Sequence, residues 1–161
     1  MNAGTAVNNN SEKKVPQAAR PGPGPANAAT WLAQLSESHQ WMREAIEMIE
    51  IALRVDPPSA EETIRGRWQL SRIERKRRAI VDEVIAALPP GEAPRLEPLE
   101  ALRRETEAYL RNYVWKWSPE VMQGDWGGYR AAFADKRQRI MAMIDQEQMV
   151  LTKILVEHGG R

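Results

Sequence analysis

The sequence is organised around a long amphipathic segment near its C-terminal end, from Ser118 to His158. Its large apolar residues recur three, four or seven residues apart, or at sums of these spacings, which places them on one face of an α-helix. They are Trp126, Tyr129, Phe133, Ile140, Ile144, Leu151 and Leu155. A helix with one apolar face must bury that face against other elements. The segment therefore predicts an all-α fold in which the remaining helices pack around it.

Three further amphipathic segments are predicted to be helices that pack against the C-terminal one. The first extends from about residue 28 to Val55, and Pro57 follows it, because proline lacks the backbone donor that a helix needs. The second opens with Ser59 and Glu62, which have the spacing of a capping box, and the third begins at Pro98. Four long helices joined by short proline-rich connections predict an antiparallel up-down-up-down four-helix bundle.

Glycines interrupt the beginning of the C-terminal segment. Gly124, Gly127 and Gly128 each weaken a helix by ~1 kcal/mol relative to alanine. We therefore expect a kink near Asp125, or a short separate turn before the long helix. Ser118 and the proline after it have the residue types of an N-cap and a first helical position, so they predict where this segment starts.

The first 27 residues are predicted to be a disordered N-terminal tail, which leaves residues 28–161 as the bundle domain. The tail is rich in Asn, Ala, Gly and Pro and has few large apolar side chains. Such a stretch cannot bury enough apolar surface to offset the conformational entropy that ordering costs. It also lacks the apolar core of a secretory signal.

Charge and cysteine content exclude several functional classes. The chain has no cysteine, which excludes disulfides, thiol catalysis and thiolate metal sites. Its 23 basic residues nearly balance 22 acidic ones, and a net charge of +1 gives no general attraction to nucleic acid or to an anionic membrane. No apolar run approaches the ~18 residues that a membrane span requires. We therefore expect a cytoplasmic protein that does not associate with membranes.

Some polar residues lie on apolar stripes, where a side chain is expected to be buried. His39 lies on the stripe of the first helix, and Glu147 lies on that of the last helix. A buried carboxylate needs a hydrogen-bonded or charged partner, so we expect the two side chains to meet across these helices. With Tyr109 on the inner face of the third helix, they form a candidate pocket. A single histidine on such a stripe is more often a hydrogen-bonded core residue than a metal ligand.

Several stretches resemble the hemerythrin-like (HHE) four-helix domains. They are Leu35–Met42 around His39, Ile80–Pro89, Trp117–Tyr129, and Arg139–Glu147. The resemblance implies a helical bundle with metal ligands on all four helices, largely histidines. This chain has no histidine between His39 and His158, and Arg78 brings a cation close to the expected ligand layer. One histidine and a few carboxylates cannot assemble a di-iron site. We therefore expect no bound metal and no other cofactor.

Exposed aromatic and methionine side chains indicate a contact surface. Trp41 and Met48 lie on a second row of the first helix, about 100° from its main stripe, and Trp115 lies off the inner face of the third helix. No catalytic or cofactor-binding motif is present. The expected function is a non-enzymatic binding or regulatory module that acts through a protein partner or self-association. The alternative is a degenerate hemerythrin-like sensor that binds a metal or a small ligand.

The second helix carries the strongest charge feature of the sequence. Its predicted inner face is Ile64, Trp68, Ser71, Ile80, Val84 and Leu88, which leaves a basic outer face. That face consists of Arg65, Arg67, Arg72, Arg75, Lys76, Arg77 and Arg78. Arginines on a helix can follow phosphates, so nucleic-acid binding is a second alternative. The balanced net charge favours a solvated face paired with nearby glutamates, and we do not expect a nucleic-acid partner.

Overall fold

Residues 25–159, which the computed structural model describes, fold into five α-helices and one short 3-10 helix, with no strand among them. The helices are α1 (Pro25–Arg54), α2 (Ala60–Ala87), the 3-10 helix Pro90–Glu92, α3 (Ala93–Lys116), α4 (Pro119–Gly124) and α5 (Trp126–Gly159). The prediction of an all-α fold is confirmed. Residues 1–24 of the predicted tail lie outside the described residues, whereas residues 25–27 form the first turn of α1. In the described chain, every helix is too short or too polar to cross a membrane.

The longest helix, α5, has 34 residues and is about 50 Å long at 1.5 Å per residue. Helix α1 packs against both α2 and α5, and α3 packs against α5. Side chains link α2 to α3 across the surface. Arg103 Nη2 lies 2.6 Å from Asp82 Oδ1, and Arg78 Nε lies 3.4 Å from Glu107 Oε1.

The apolar core is divided into two clusters along the helices. The first core cluster includes Met42, Ile49, Leu70, Tyr129, Phe133 and Ile144. The second core cluster includes Trp31, Leu35, Val84, Leu99, Leu151 and Leu155. On three helices, a buried polar residue lies in sequence between the members of the first and the second core cluster. These residues form a buried polar layer: His39 on α1, Arg77 on α2 and Glu147 on α5.

The predicted inner face of α2 is confirmed only in part. Ile80, Val84 and Leu88 are buried as predicted. Trp68 and Ser71, which were expected on the same face, are exposed, Trp68 by 68%. The buried stripe of the helix passes through Leu70, Arg77 and Val84. These three residues are seven apart and lie on one face of the helix. The assignment of Arg77 to the basic outer face is therefore wrong. Its guanidinium is 2% exposed because a carboxylate in the core accepts its hydrogen bond.

Helix α3 begins five residues earlier than predicted. The 3-10 helix leads directly into Ala93, so Pro94 lies in the first turn, where a missing N–H costs no helical hydrogen bond. Pro98, the predicted start, is inside the helix. The buried face of α3 includes Leu99, Leu110 and Tyr113.

A short helix precedes α5, as the glycines predicted. The hydroxyl of Ser118 accepts a hydrogen bond from Val121 N at 3.3 Å and caps α4. Asp125 caps α5 in the same manner, because its Oδ1 accepts from Gly128 N at 2.8 Å and its carbonyl accepts from Tyr129 N at 3.0 Å. A carboxylate is favoured here because the first amides of a helix have no helical partner.

Replacing Asp125 with alanine is expected to lower the free energy of unfolding by about 1 kcal/mol, the usual effect of removing an N-cap side chain. The loss should appear in urea unfolding followed by circular dichroism. Asparagine keeps the side-chain acceptor, so the Asp125→Asn variant serves as the control and should retain most of the stability. Equal losses in both variants would show that the cap does not stabilise α5.

Candidate functional site

The buried polar layer joins α1, α2 and α5 through the carboxylate of Glu147. Its Oε2 lies 3.0 Å from His39 Nε2, and its Oε1 accepts a hydrogen bond from Arg77 Nη1. His39 Nδ1 lies 3.1 Å from Oε1 of Gln148. His39 and Glu147 are at most 1% exposed. The predicted meeting of these two side chains is confirmed, and Arg77 is the member of the layer that sequence reasoning missed.

The electrostatics of the layer keep Glu147 ionised. Burial raises the pKa of a carboxyl group, because it removes the charged form from water. At Glu147 the hydrogen bond with His39 and the charge of Arg77 outweigh burial, so the pKa of Glu147 lies below its usual value. The Arg77 guanidinium also lies 3.7 Å from the sulfur of Met143. The layer is thus a charge-compensated part of the core.

Tyr109, the third residue of the candidate pocket, lies elsewhere in the structure. Its hydroxyl is 3.4 Å from the carbonyl oxygen of Ala132, and its ring centre is 4.4 Å from the guanidinium carbon of Arg139. Burial and the nearby Asp135 raise the pKa of Tyr109 to about 12. These contacts are at least two helical turns from Glu147 along α5. The structure therefore brings together two residues of the predicted pocket and separates the third.

The polar layer is not arranged as a metal centre. Among residues 25–159, no group of three or more histidine, cysteine or carboxylate side chains could hold a metal ion. Within the layer, Arg77 places a cation against the only carboxylate that contacts His39. The resemblance to hemerythrin-like domains stays a prediction.

Trp68 forms an exposed ridge on α2 between two surface grooves. The α1–α2 groove has a volume of about 700 Å³. It is lined by Trp41, Arg65, Trp68, Gln69, Arg72, Ile73 and Lys76. The α2–α3 groove is smaller, with a volume of about 300 Å³. It is lined by Ile64, Arg67, Trp68, Ser71, Arg75, Val114, Pro119 and Lys136. Every charged residue in both sets is a cation.

The cations of α2 differ in how they are engaged. Arg65 pairs with Glu61 at 2.8 Å and with Glu62 at 2.9 Å. Arg67, which is half-buried, donates to the carbonyl oxygen of Trp117 at 2.7 Å. Arg78 is also half-buried and pairs with Glu74 and Glu107. The predicted basic face is therefore reduced to four exposed cations: Arg65, Arg72, Arg75 and Lys76. Of these, Arg72, Arg75 and Lys76 have no ion pair within the described part of the chain.

The three predicted contact residues lie in different environments. Trp41 is half-buried in the α1–α2 groove, and the ammonium of Lys76 lies 4.4 Å from its ring centre. Met48 is 37% exposed on the outer surface of α1, and Trp115 is 86% exposed near the end of α3. Neither of these two lines a groove beside Trp68. Only Trp41 joins Trp68 at a concave surface.

Sequence reasoning missed Lys136, a lysine that is only 7% exposed. It lies between Phe133 and Ile140 on the apolar stripe of α5, the signal that identified Glu147. Its ammonium lies 4.5 Å from the ring centre of Tyr113. Burial lowers the pKa of Lys136 to about 8, with a smaller opposing effect from the carboxylate of Glu74.

Comparison with known proteins identifies no relative. No family model matches this sequence, and no curated protein and no solved structure is significantly similar to it. Function must therefore be inferred from the geometry and chemistry of the surface.

Proposed function

We propose that the protein is a non-enzymatic binding module, an antiparallel four-helix bundle whose α1–α2 groove binds an acidic, apolar segment of a partner protein. The supporting observation is that two tryptophans, Trp41 and Trp68, line one groove in which every charged lining residue is a cation. Tryptophan and arginine are the residues that most often dominate the energy of protein–protein contacts. An exposed apolar surface that is rimmed by charges commonly marks an interaction site.

The charges of the groove indicate the chemistry of the partner. Arg72 and Lys76 have no ion pair in the described chain, and the Lys76 ammonium lies over the ring of Trp41. A partner that brings carboxylates would complement these cations, increase the association rate and discriminate against basic segments. Its apolar side chains would cover Trp41 and Trp68, and removing these rings from water would stabilise the complex.

A second copy of the chain does not fit the groove as well. In a symmetric dimer the same surface faces itself, so the cations of the two copies would be brought together. Such like-charge contacts are costly at an interface. Nucleic acid is disfavoured because Arg65 is already paired with two glutamates and the net charge is only +1. We therefore favour an acidic protein segment.

Reversing both free cations, in the variant Arg72→Glu with Lys76→Glu, is expected to abolish partner binding. Affinity purification with quantitative mass spectrometry should show a partner that is retained by the unaltered chain and lost with this variant. An acidic peptide from that partner should bind the unaltered chain at least about tenfold more tightly than the variant in calorimetry, a difference of about 1.4 kcal/mol. Added salt should weaken the binding, because exposed charges are screened.

Arg111→Glu is the matched control, because Arg111 is an exposed cation on α3 that lines neither groove. It should leave partner binding unchanged. The proposal fails if Arg111→Glu has the same effect as the double reversal, which would indicate a response to net charge alone. It also fails if the retained material is nucleic acid, or if the double reversal only converts a dimer into a monomer in sedimentation.

A further inference from the structure

Lys136 presents a buried cation to the α2–α3 groove without a carboxylate partner of its own. The side chain comes from α5 and packs against the ring of Tyr113 on α3. Glu74 on α2 acts on Lys136 electrostatically, but its carboxylate is bound by Arg78 at 3.4 Å. Within residues 25–159, Lys136 forms no ion pair. A lysine that is removed from water in this way is normally paired.

The walls of this groove combine apolar side chains with further cations. Ile64, Trp68 and Val114 contribute apolar surface, and the last two are largely exposed. Arg67 and Arg75 add positive charge, and none of the described residues that line the groove is acidic. An anion with an apolar body would satisfy both kinds of surface.

We propose that the α2–α3 groove is a binding site for a small organic carboxylate with an aromatic or branched apolar body, whose carboxylate pairs with the Lys136 ammonium. The volume of about 300 Å³ is at the small end of the range for ligand pockets, roughly 300–1,000 Å³. It therefore suits a small molecule. This site lies on the opposite side of Trp68 from the proposed protein contact, so the carboxylate site and the protein contact can each fail without the other.

The protonation of Lys136 gives the site a specific pH dependence. Burial and the charge of Arg67 lower the pKa of Lys136 to about 8, whereas Glu74 opposes them. The ammonium is thus largely charged at pH 7 and loses its proton in mildly alkaline solution. The preference for a carboxylate should weaken as the pH rises through this range, while Arg67 and Arg75 stay charged and maintain a residual attraction.

The test compares 4-phenylbutyrate with the neutral 4-phenylbutanol as probes in calorimetric titrations of the full chain. We expect the carboxylate to bind with a Kd below about 1 mM and at least tenfold more tightly than the alcohol at pH 7. The Lys136→Met variant keeps a long apolar side chain in the same space and should reduce this preference to less than twofold. Lys116→Met is the control, because Lys116 is exposed on α3 and lines neither groove; it should keep the full preference.

A pH series on the unaltered chain keeps the proposal testable if Lys136→Met does not fold. The preference for 4-phenylbutyrate should fall at least threefold between pH 7 and pH 9.5. A preference that is constant over this range, or that survives in a folded Lys136→Met variant, would overturn the assignment of Lys136. Failure of 4-phenylbutyrate to bind at millimolar concentration would overturn the site itself.

Discussion

Replacing Glu147 with leucine is expected to lower the free energy of unfolding by about 3–5 kcal/mol, the largest effect that we expect from a single substitution. The carboxylate is fully buried and is the only acid that contacts Arg77 among the described residues. Its removal would leave the guanidinium buried without a counter-charge. Urea unfolding at pH 7 measures the effect, with circular dichroism to confirm that the variant remains helical.

A double replacement separates the contribution of the ion pair from the cost of leaving one charge unpaired. In the Arg77→Met, Glu147→Leu variant both charges are replaced by apolar side chains of similar size. Replacing a whole buried pair in this way is often neutral or stabilising. We therefore expect the double variant to recover most of the stability that Glu147→Leu loses. A double variant as unstable as the single one would show that the pair itself holds the core together.

The Glu147 effect should also depend on pH in a defined direction. The pKa of Glu147 in the folded chain lies below its ordinary value of 4.5. A depressed pKa contributes stability that is fully present above the ordinary value and is lost as the pH falls through the folded value. The stability difference between the unaltered chain and Glu147→Leu should therefore be constant from pH 7 to pH 5 and shrink below about pH 4.5.

Replacing Gly66 with alanine is expected to destabilise the chain by about 1–2 kcal/mol, although alanine is the better helix former. Gly66 is buried in α2, where a Cβ atom would lie only 2.6 Å from Cγ1 of Ile49 on α1. The Ile49 side chain is itself fully buried. Either it must leave its preferred conformation or the two helices must separate.

The contact between Gly66 and Ile49 can be tested by a double-mutant cycle. Ile49→Ala alone should cost about 2–5 kcal/mol, because it leaves a cavity. In that background Gly66→Ala should cost nothing further, because the added methyl group enters the vacated space. Gly124→Ala is the control, since a Cβ there would meet nothing within 4 Å. Additive losses in the cycle would show that the close approach of α1 and α2 does not limit residue 66.

How far the fold could be predicted differs from helix to helix. The stripe of α5 consists mainly of large apolar residues, so their spacing alone predicts its buried face. The buried face of α2 includes Thr63, Gly66 and Arg77, which are residue types that normally indicate a surface. Placing Trp68 inside and Arg77 outside was therefore the natural interpretation. Arg77 is buried because it contacts Glu147, which is seventy residues away in the sequence. Local periodicity carries no information about such a contact.

The candidate surface was predicted only in part, for a related reason. Trp41 was identified because it lies off the main stripe of α1, yet the groove that it lines depends on Trp68, which had been placed in the core. Lys136 carries the same signal as Glu147, a charged residue on an apolar stripe. Its role depends on the gap between α2 and α3, and only tertiary structure shows that gap.

The position of the polar layer between two apolar clusters also bears on which alignment of the helices is permitted. Apolar side chains can exchange one apolar neighbour for another, so an entirely apolar core tolerates a shift of one helix by one turn along its axis. A slide of α5 by one turn would bring Met143 or Leu151 to Arg77 and carry Glu147 about 5 Å away, into apolar surroundings. Two buried charges would then be unpaired. We therefore expect the layer to fix the register of the helices by destabilising misaligned packings. This is the best-attested use of buried polar groups in helical proteins.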